Sequence, residues 1–223
     1  MSERIRVLVV DDHLMFGDAV EALLASKDDI EVCAVVPSAE QGIEKCRADP
    51  PDVVLMDLDL PGMDGIRATR SITEEHPECK VVVVSAFANT ETVAQSVEAG
   101  AIGYVPKLDA ADRLVHAVRS AVAGDIVLPQ PEVLEALAAR TEARRAAQDG
   151  RMIGQLTRRE IEVLQLLAEG KGLQETAAEL GLSRFTVRDY LTMAMGRLGA
   201  RSRLEAVLVA VRHGLVEIQS QSD

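Results

Sequence analysis

Val53-Val54-Leu55-Met56-Asp57 is the stretch that decides the fold. Four apolar residues run without alternation into a carboxylate, and Asp59 and the turn Pro61-Gly62-Met63-Asp64-Gly65 follow. A short unbroken apolar run reads as a strand covered on both faces, as in a parallel sheet. Asp57 then marks where the strand emerges, at the carboxyl edge where open α/β sheets keep their chemistry. Outward from there, Ile5 to Val10 ends in Asp11-Asp12 and Val81 to Val84 ends in Ser85. Tyr104-Val105 leads through Pro106 to Lys107. Acids, a hydroxyl and an amine all sit where strands stop.

The surrounding text alternates two periods. Strands are expected at 5–10, 31–36, 53–57, 81–85 and 102–105, and helices at 14–26, 38–48, 65–75, 90–99 and 110–123. Leu14, Ala19, Val20, Leu23 and Leu24 give the first helix an apolar stripe. Gly100 and Gly124 stand at helix C-caps, and Pro50-Pro51 and Pro77 break the chain before strands. Five strands alternating with five helices predict a doubly wound, five-stranded parallel sheet over residues 1–123.

The charge is divided along the chain. Of the net −12, residues 1–123 carry 11 Lys and Arg against 22 Asp and Glu. Residues 151–223 carry 10 against 9, with Arg184, Arg188, Arg197, Arg201 and Arg203 close together around the single acid Asp189. Two domains with different partners follow from this asymmetry. At 223 residues and 48% apolar content, both can hold real cores. Cys33, Cys46 and Cys79 are too few and too scattered for a disulfide framework or a zinc cluster. No apolar run reaches the length of a membrane helix, and the first ten residues lack a long signal-peptide h-region. A cytoplasmic protein with no membrane partner is expected.

Residues 124–154 read as a linker with an Ala-rich helix over 132–148. Residues 155–216 read as a small all-α domain of four helices, and 217–223 as a polar tail. Thr157 with Glu160 makes a capping box ahead of Ile161, Leu164 and Leu167. A short helix ends at Gly181, and Ser183 caps the next, which bears the arginines. Two helices joined through a glycine turn, the second basic, form a helix-turn-helix signature.

Carboxylates gathered at one sheet edge repel unless a cation joins them, and Mg²⁺ is the hard ion that favours such oxygens. With a lysine and a hydroxyl beside it, the cluster is complete for phosphoryl transfer to a carboxylate. Any one of these residues alone is more often a turn former or a solvated side chain. Their joint order on successive strand ends carries the inference.

Those residues resemble the receiver domain of bacterial two-component response regulators, a flavodoxin-like fold. The matching text is Asp11-Asp12, Asp57 with Pro61 and Asp64-Gly65, Ser85-Ala86, and Gly103-Tyr104 before Lys107. The resemblance implies that Asp57 accepts phosphate from a sensor histidine kinase or a small acyl phosphate. It also implies that Asp12, Asp57 and the carbonyl of Asp59 bind Mg²⁺, with Asp11 acting partly through water. Lys107 and Ser85 would contact the phosphoryl group, with Tyr104 swinging inward as Ser85 moves. One departure is that Leu108 follows the lysine, where many receivers have Pro, while Pro106 precedes it. Asp57-Leu58-Asp59 also resembles the nucleophile motif of haloacid-dehalogenase phosphatases, but there the nucleophile lies on the first strand and the acid pair comes late.

Residues 155–215 resemble the NarL/FixJ (LuxR-type) helix-turn-helix. The match runs through Leu156-Thr157-Arg158-Arg159-Glu160, Val163-Leu164, Gly170, Ala177, Leu180-Gly181, Thr186-Val187-Arg188, Leu198-Gly199 and Arg203. It implies double-stranded DNA as partner. Arg188, Asp189 and Thr192 would enter the major groove, and Arg184 and Arg197 would meet phosphates. Asp189, Tyr190, Gly172-Leu173-Gln174 and Thr176 depart from the usual pattern. The last helix is apolar nearly all round, so Val207, Ala210 and Val211 are candidates for a homodimer interface. A phosphorylation-controlled transcription regulator is the expected function, with no enzymatic activity beyond its own phosphorylation and dephosphorylation. The alternative is a receiver protein with degenerate DNA binding that acts through protein–protein contacts.

Overall fold

Residues 4–86, 90–127 and 156–217 are described by the computed structural model, and the linker helix expected over 132–148 and most of the polar tail lie outside them. The strands are β1 (Ile5–Val10), β2 (Ile30–Val36), β3 (Val53–Met56), β4 (Lys80–Ser85) and β5 (Gly103–Pro106). All pair in parallel, in the order β2-β1-β3-β4-β5. The order doubles back beside β1, and β1 and β3 therefore stand side by side with their acidic ends together, at the switch point of a doubly wound sheet.

Helices α1 (Leu14–Ala25) and α5 (Ala110–Ala123) cover one face, and α2 (Ala39–Ala48), α3 (Gly65–Glu75) and α4 (Thr90–Glu98) cover the other. Alternate residues of each strand feed the two layers. Val7, Val9, Val53, Leu55, Val82 and Val84 pack under α1 and α5. Leu8, Val10, Val54 and Met56 pack under α2 and α3. Every residue of β3 is buried, which is why the run shows no polar alternation.

Beyond α5 the chain turns at Gly124 (φ 79°) and returns to the sheet. Val127 bridges Gly103 in parallel, and the Tyr104 N–H donates to its carbonyl at 3.3 Å. Val127, within the stretch read as linker from the sequence, is thus tied to the β5 edge.

The second unit holds α6 (Arg158–Ala168), α7 (Leu173–Leu180), α8 (Arg184–Leu198) and α9 (Arg203–Arg212). The Thr157–Glu160 capping box is formed, and Ser183 and Ser202 cap α8 and α9. Val163, Leu164, Leu167, Leu173, Val187, Leu191, Ala194 and Val207 make one core. Thr176 is fully buried in it with a hydroxyl that finds no partner.

The two units touch. Leu204 of α9 packs with Val97 of α4, and Leu208 reaches the cluster of Val93 and Tyr104. Val207 and Ala210, expected at a dimer interface, are instead inside the four-helix core, and Val211 is half-buried against it. The outer side of α9, expected to meet a second subunit, is covered by the chain's own α4. The apolar surplus is therefore matched within one molecule.

Candidate functional site: the acidic edge and the basic helix

Asp57 emerges from β3 with 1% of its surface exposed. Its Oδ1 accepts the Leu58 N–H at 2.7 Å and the Asp59 N–H at 3.4 Å. Its Oδ2 accepts Lys107 Nζ at 2.7 Å. Asp11, at the end of β1, is also buried and lies 2.6 Å from the same ammonium. Burial alone would push the Lys107 amine down, but its hydrogen bonds to Asp11 and Asp57 leave it above its ordinary value. The lysine is a fixed cation on two buried acids.

Local sequence places it. Pro106, at φ −63°, ends β5 and opens the 3₁₀ turn Lys107–Asp109. Leu108 follows with 93% exposure, and Lys107 points back into the site. Gly65 supplies a second requirement. A Cβ there would stand 1.9 Å from the Asp57 carbonyl oxygen, so α3 can start beside the site only from a glycine.

Asp11, Asp12, His13 and Asp57 present ligand atoms all within 4.8 Å of one another. Asp12 Oδ1 is buried and accepts no hydrogen bond, although His13 Nδ1 lies 2.8 Å away. A buried carboxylate oxygen with only the His13 imidazole beside it, gathered with other acids, is the donor set a hard cation takes. Asp59 is exposed and its side chain lies outside this cluster, so its expected role rests on the backbone carbonyl. His13 and Phe16 escaped the sequence reading. The Phe16 ring centroid is 4.7 Å from Lys107 Nζ; His13 follows the acid pair directly and Phe16 stands four residues after Asp12.

Ser85 ends β4 fully buried, opposite Pro106 in register. Tyr104 already points inward with 2% exposure. Its hydroxyl lacks a well-formed hydrogen bond, and burial raises the phenol above its usual value while Ser85 partly offsets this. Asp57, Ser85 and Lys107 are thus assembled by β3, β4 and β5.

On the basic helix α8, Arg188, Asp189 and Thr192 are exposed on one side, with Val187 and Leu191 turned to the core. Phe185 is 74% exposed, with its ring 5.9 Å from the Arg188 guanidinium. Arg197 differs from expectation. Its Nη1 lies 2.5 Å from Glu160 Oε2, a carboxylate with no exposed surface, because a buried acid needs a cation. Arg184 is engaged by the receiver, where it donates to the Ala123 carbonyl.

Residues 7–119 match the response regulator receiver domain, and residues 154–210 match the bacterial regulatory proteins of the luxR family. The transcriptional regulatory protein LiaR of Bacillus subtilis is 35% identical over 212 residues, covering 95% of this chain and 99% of that protein. The response regulator protein VraR of Staphylococcus aureus is 33% identical over 213 residues, covering 96% and 99%. Among solved structures, the response regulator ChrA of a heme-sensing two-component system is 31% identical at TM-score 0.50, covering 95% and 98%. A LuxR-family response regulator from Aurantimonas reaches TM-score 0.57 at 28% identity, covering 63% and 99%. Acidic sheet edge, basic helix and relatives of full length agree, and the chain belongs to the response regulators that join a receiver domain to a LuxR-type DNA-binding domain.

Proposed function

We propose that Asp57 is the phosphoacceptor of this regulator and that its phosphorylation, by a sensor histidine kinase or a small acyl phosphate, controls DNA binding. The observation that carries this is the buried Asp57 carboxylate, held by two backbone N–H groups on one oxygen and by Lys107 on the other. A new P–O bond to Asp57 forms as the P–N bond of a phosphohistidine breaks and the imidazole departs. Lys107 then neutralises a phosphoryl oxygen, and the Ser85 hydroxyl binds another. Asp11, Asp12 and Asp57, with the Asp59 carbonyl, would hold Mg²⁺, which supplies positive charge to the transferring group.

In the second unit, Arg188 and Thr192 face double-stranded DNA, with arginine suited to guanine. Asp189 can accept a hydrogen bond from the cytosine amino group. A homodimer would present two such helices to paired half-sites. The outer side of α9, which includes Leu208, must leave α4 before it can serve that contact.

The test is labelling of the purified chain with an acyl phosphate in the presence of Mg²⁺. One acid-labile phosphate is expected on the natural protein and none on Asp57→Asn. Equal labelling of the Asn variant would show that another carboxylate is the acceptor.

A further inference from the structure

Between the two units lies a cavity of about 200 Å³ whose positive charge is only partly balanced. Thr73, Lys80 and Asp125 line it from the receiver side, and Arg201, Ser202 and Arg203 line it from the second unit. Gly100 and Gly124 form another part of the wall and add no side chain to the space. Ile102, Ile126 and Met195 make its apolar side.

The cations differ in how they are neutralised. Arg201 Nη1 lies 3.4 Å from a Glu74 carboxylate oxygen. Lys80 and Arg203 reach only carbonyls. Lys80 Nζ donates to that of Pro77 at 2.7 Å, and Arg203 Nη1 donates to that of Gly124. Among the described residues neither has a carboxylate at ion-pair distance. Asp125, the one acid of the wall, accepts the Leu173 N–H at 2.7 Å. Burial pushes the Lys80 amine below its ordinary value, and Arg203 pushes it the same way. Burial also lowers the Arg203 guanidinium, with Arg188 and Arg184 adding to the effect and Asp125 opposing it. Two poorly solvated cations therefore repel each other at one cavity, which costs stability until an anion joins them.

The same wall holds the start of α9. Ser202 caps that helix, accepting the Glu205 N–H at 3.1 Å with 5% of its surface exposed. The positive end of the α9 dipole thus lies beside the two cations, where helix N-termini take oxyanions.

We propose that this cavity is a binding site for a compact, phosphoryl-bearing anion, held by Lys80 of the receiver and by Arg203 and the Ser202 end of α9 in the second unit. An ammonium, a guanidinium and a helix end supply donors from separate elements, which suits a tetrahedral, doubly charged group better than a planar carboxylate. At about 200 Å³, against ~30 Å³ for one water, the cavity has room for a few carbons beyond the head group, along its apolar side. The occupant is a small phosphate ester or the free ion, which share that head group. Such a ligand bridges the two units, so their arrangement responds to a metabolite as well as to Asp57. The inference stands apart from the DNA-binding reading given above.

The full-length chain, in metal-free buffer without phosphate, is titrated by calorimetry with glycerol 3-phosphate, inorganic phosphate and glycerol. Glycerol 3-phosphate should bind at one site per chain with Kd below about 1 mM, and glycerol should not bind. Tighter binding of the ester than of inorganic phosphate identifies a phosphorylated metabolite as the occupant, and equal binding identifies the ion. Lys80→Met and Arg203→Met, one on each unit, should each weaken binding about tenfold or more. Lys80→Met should also melt at a higher temperature than the natural chain when no anion is present, because the repulsion is gone. Loss of binding in a more stable protein is not misfolding.

If neither phosphate compound binds the natural chain at 10-millimolar order, about ten times the expected Kd, the cavity is not an anion site. Unchanged binding in both variants would place the anion elsewhere and overturn the site as drawn. A lower melting temperature for Lys80→Met would make Lys80 a structural group rather than an unbalanced charge, and the proposal would fall.

Discussion

Lys107→Met separates charge from shape at the acidic edge. Methionine keeps most of the length of the lysine stem, so packing beside Phe16 is largely retained and the ammonium alone is lost. That ammonium lies 2.6 Å from Asp11 and 2.7 Å from Asp57, whose side chains are 2% and 1% exposed. Removing one partner from a buried ion pair costs about 3–5 kcal/mol, because the remaining charge stays in a poorly solvated place. Here the stranded acids keep some support. Asp57 retains the Leu58 N–H, and Asp11 retains the His13 N–H at 2.9 Å. The expected loss is therefore at the lower end, about 3 kcal/mol, or roughly 10 °C in the receiver's melting temperature. Denaturation followed by far-UV circular dichroism in chelator measures it. Added Mg²⁺ should then restore more stability to the variant than it adds to the natural protein, because a bound cation replaces the missing charge. A loss below about 1 kcal/mol in chelator would refute the reasoning. Equal stabilisation of both proteins by Mg²⁺ would refute its second half.

Gly65→Ala places a Cβ 1.9 Å from the Asp57 carbonyl oxygen and 2.9 Å from Leu58 Cα, both backbone atoms. Backbone cannot swing aside as a side chain can, so a destabilisation of about 3 kcal/mol or more and slower labelling of Asp57 are expected by urea titration and phosphorylation assay. Near-natural stability would contradict the close approach of α3 to the site. Burial, helped by nearby Glu98, pushes the Glu205 carboxyl above its ordinary range. The folded state thus holds that proton more tightly than the unfolded one, and the ionised group costs stability above the raised value. Glu205→Gln keeps the acceptor for the Arg201 N–H at 2.6 Å and removes the charge. Its advantage should be present at pH 7 and shrink as the pH falls through the raised value towards about 4.3. A pH-independent difference in thermal melts would assign the effect to something other than ionisation.

The receiver was legible in the sequence because its information is local. A fully buried strand has no polar alternation, and a chemical group at its end has a defined place on the sheet edge. Asp11, Asp57, Ser85 and Lys107 were found by that rule, and the four helices of the second unit by their caps. Groups whose roles depend on distant partners were not found. Arg197 occupies an exposed position of a basic helix, and only the buried Glu160, 37 residues away, turns it inward. The apolar surplus of α9 was visible, but α4 as its cover was not, because docking between units leaves no period in either helix. His13 and Phe16 were missed for a different reason. Each is a single residue with no pattern, and its meaning comes from Lys107 folding back across the site.

The strand-like return of Ile126-Val127 has a mechanical consequence. Val127 is fastened at the β5 edge beside Tyr104, whose own N–H is one fastener, while the Val127 N–H donates to the Ile102 carbonyl. Releasing Val127 from the edge would free the three residues 125–127 that follow α5, roughly 10 Å of chain. A displacement of the Tyr104 backbone would act directly on that catch, on the same strand whose end carries Lys107.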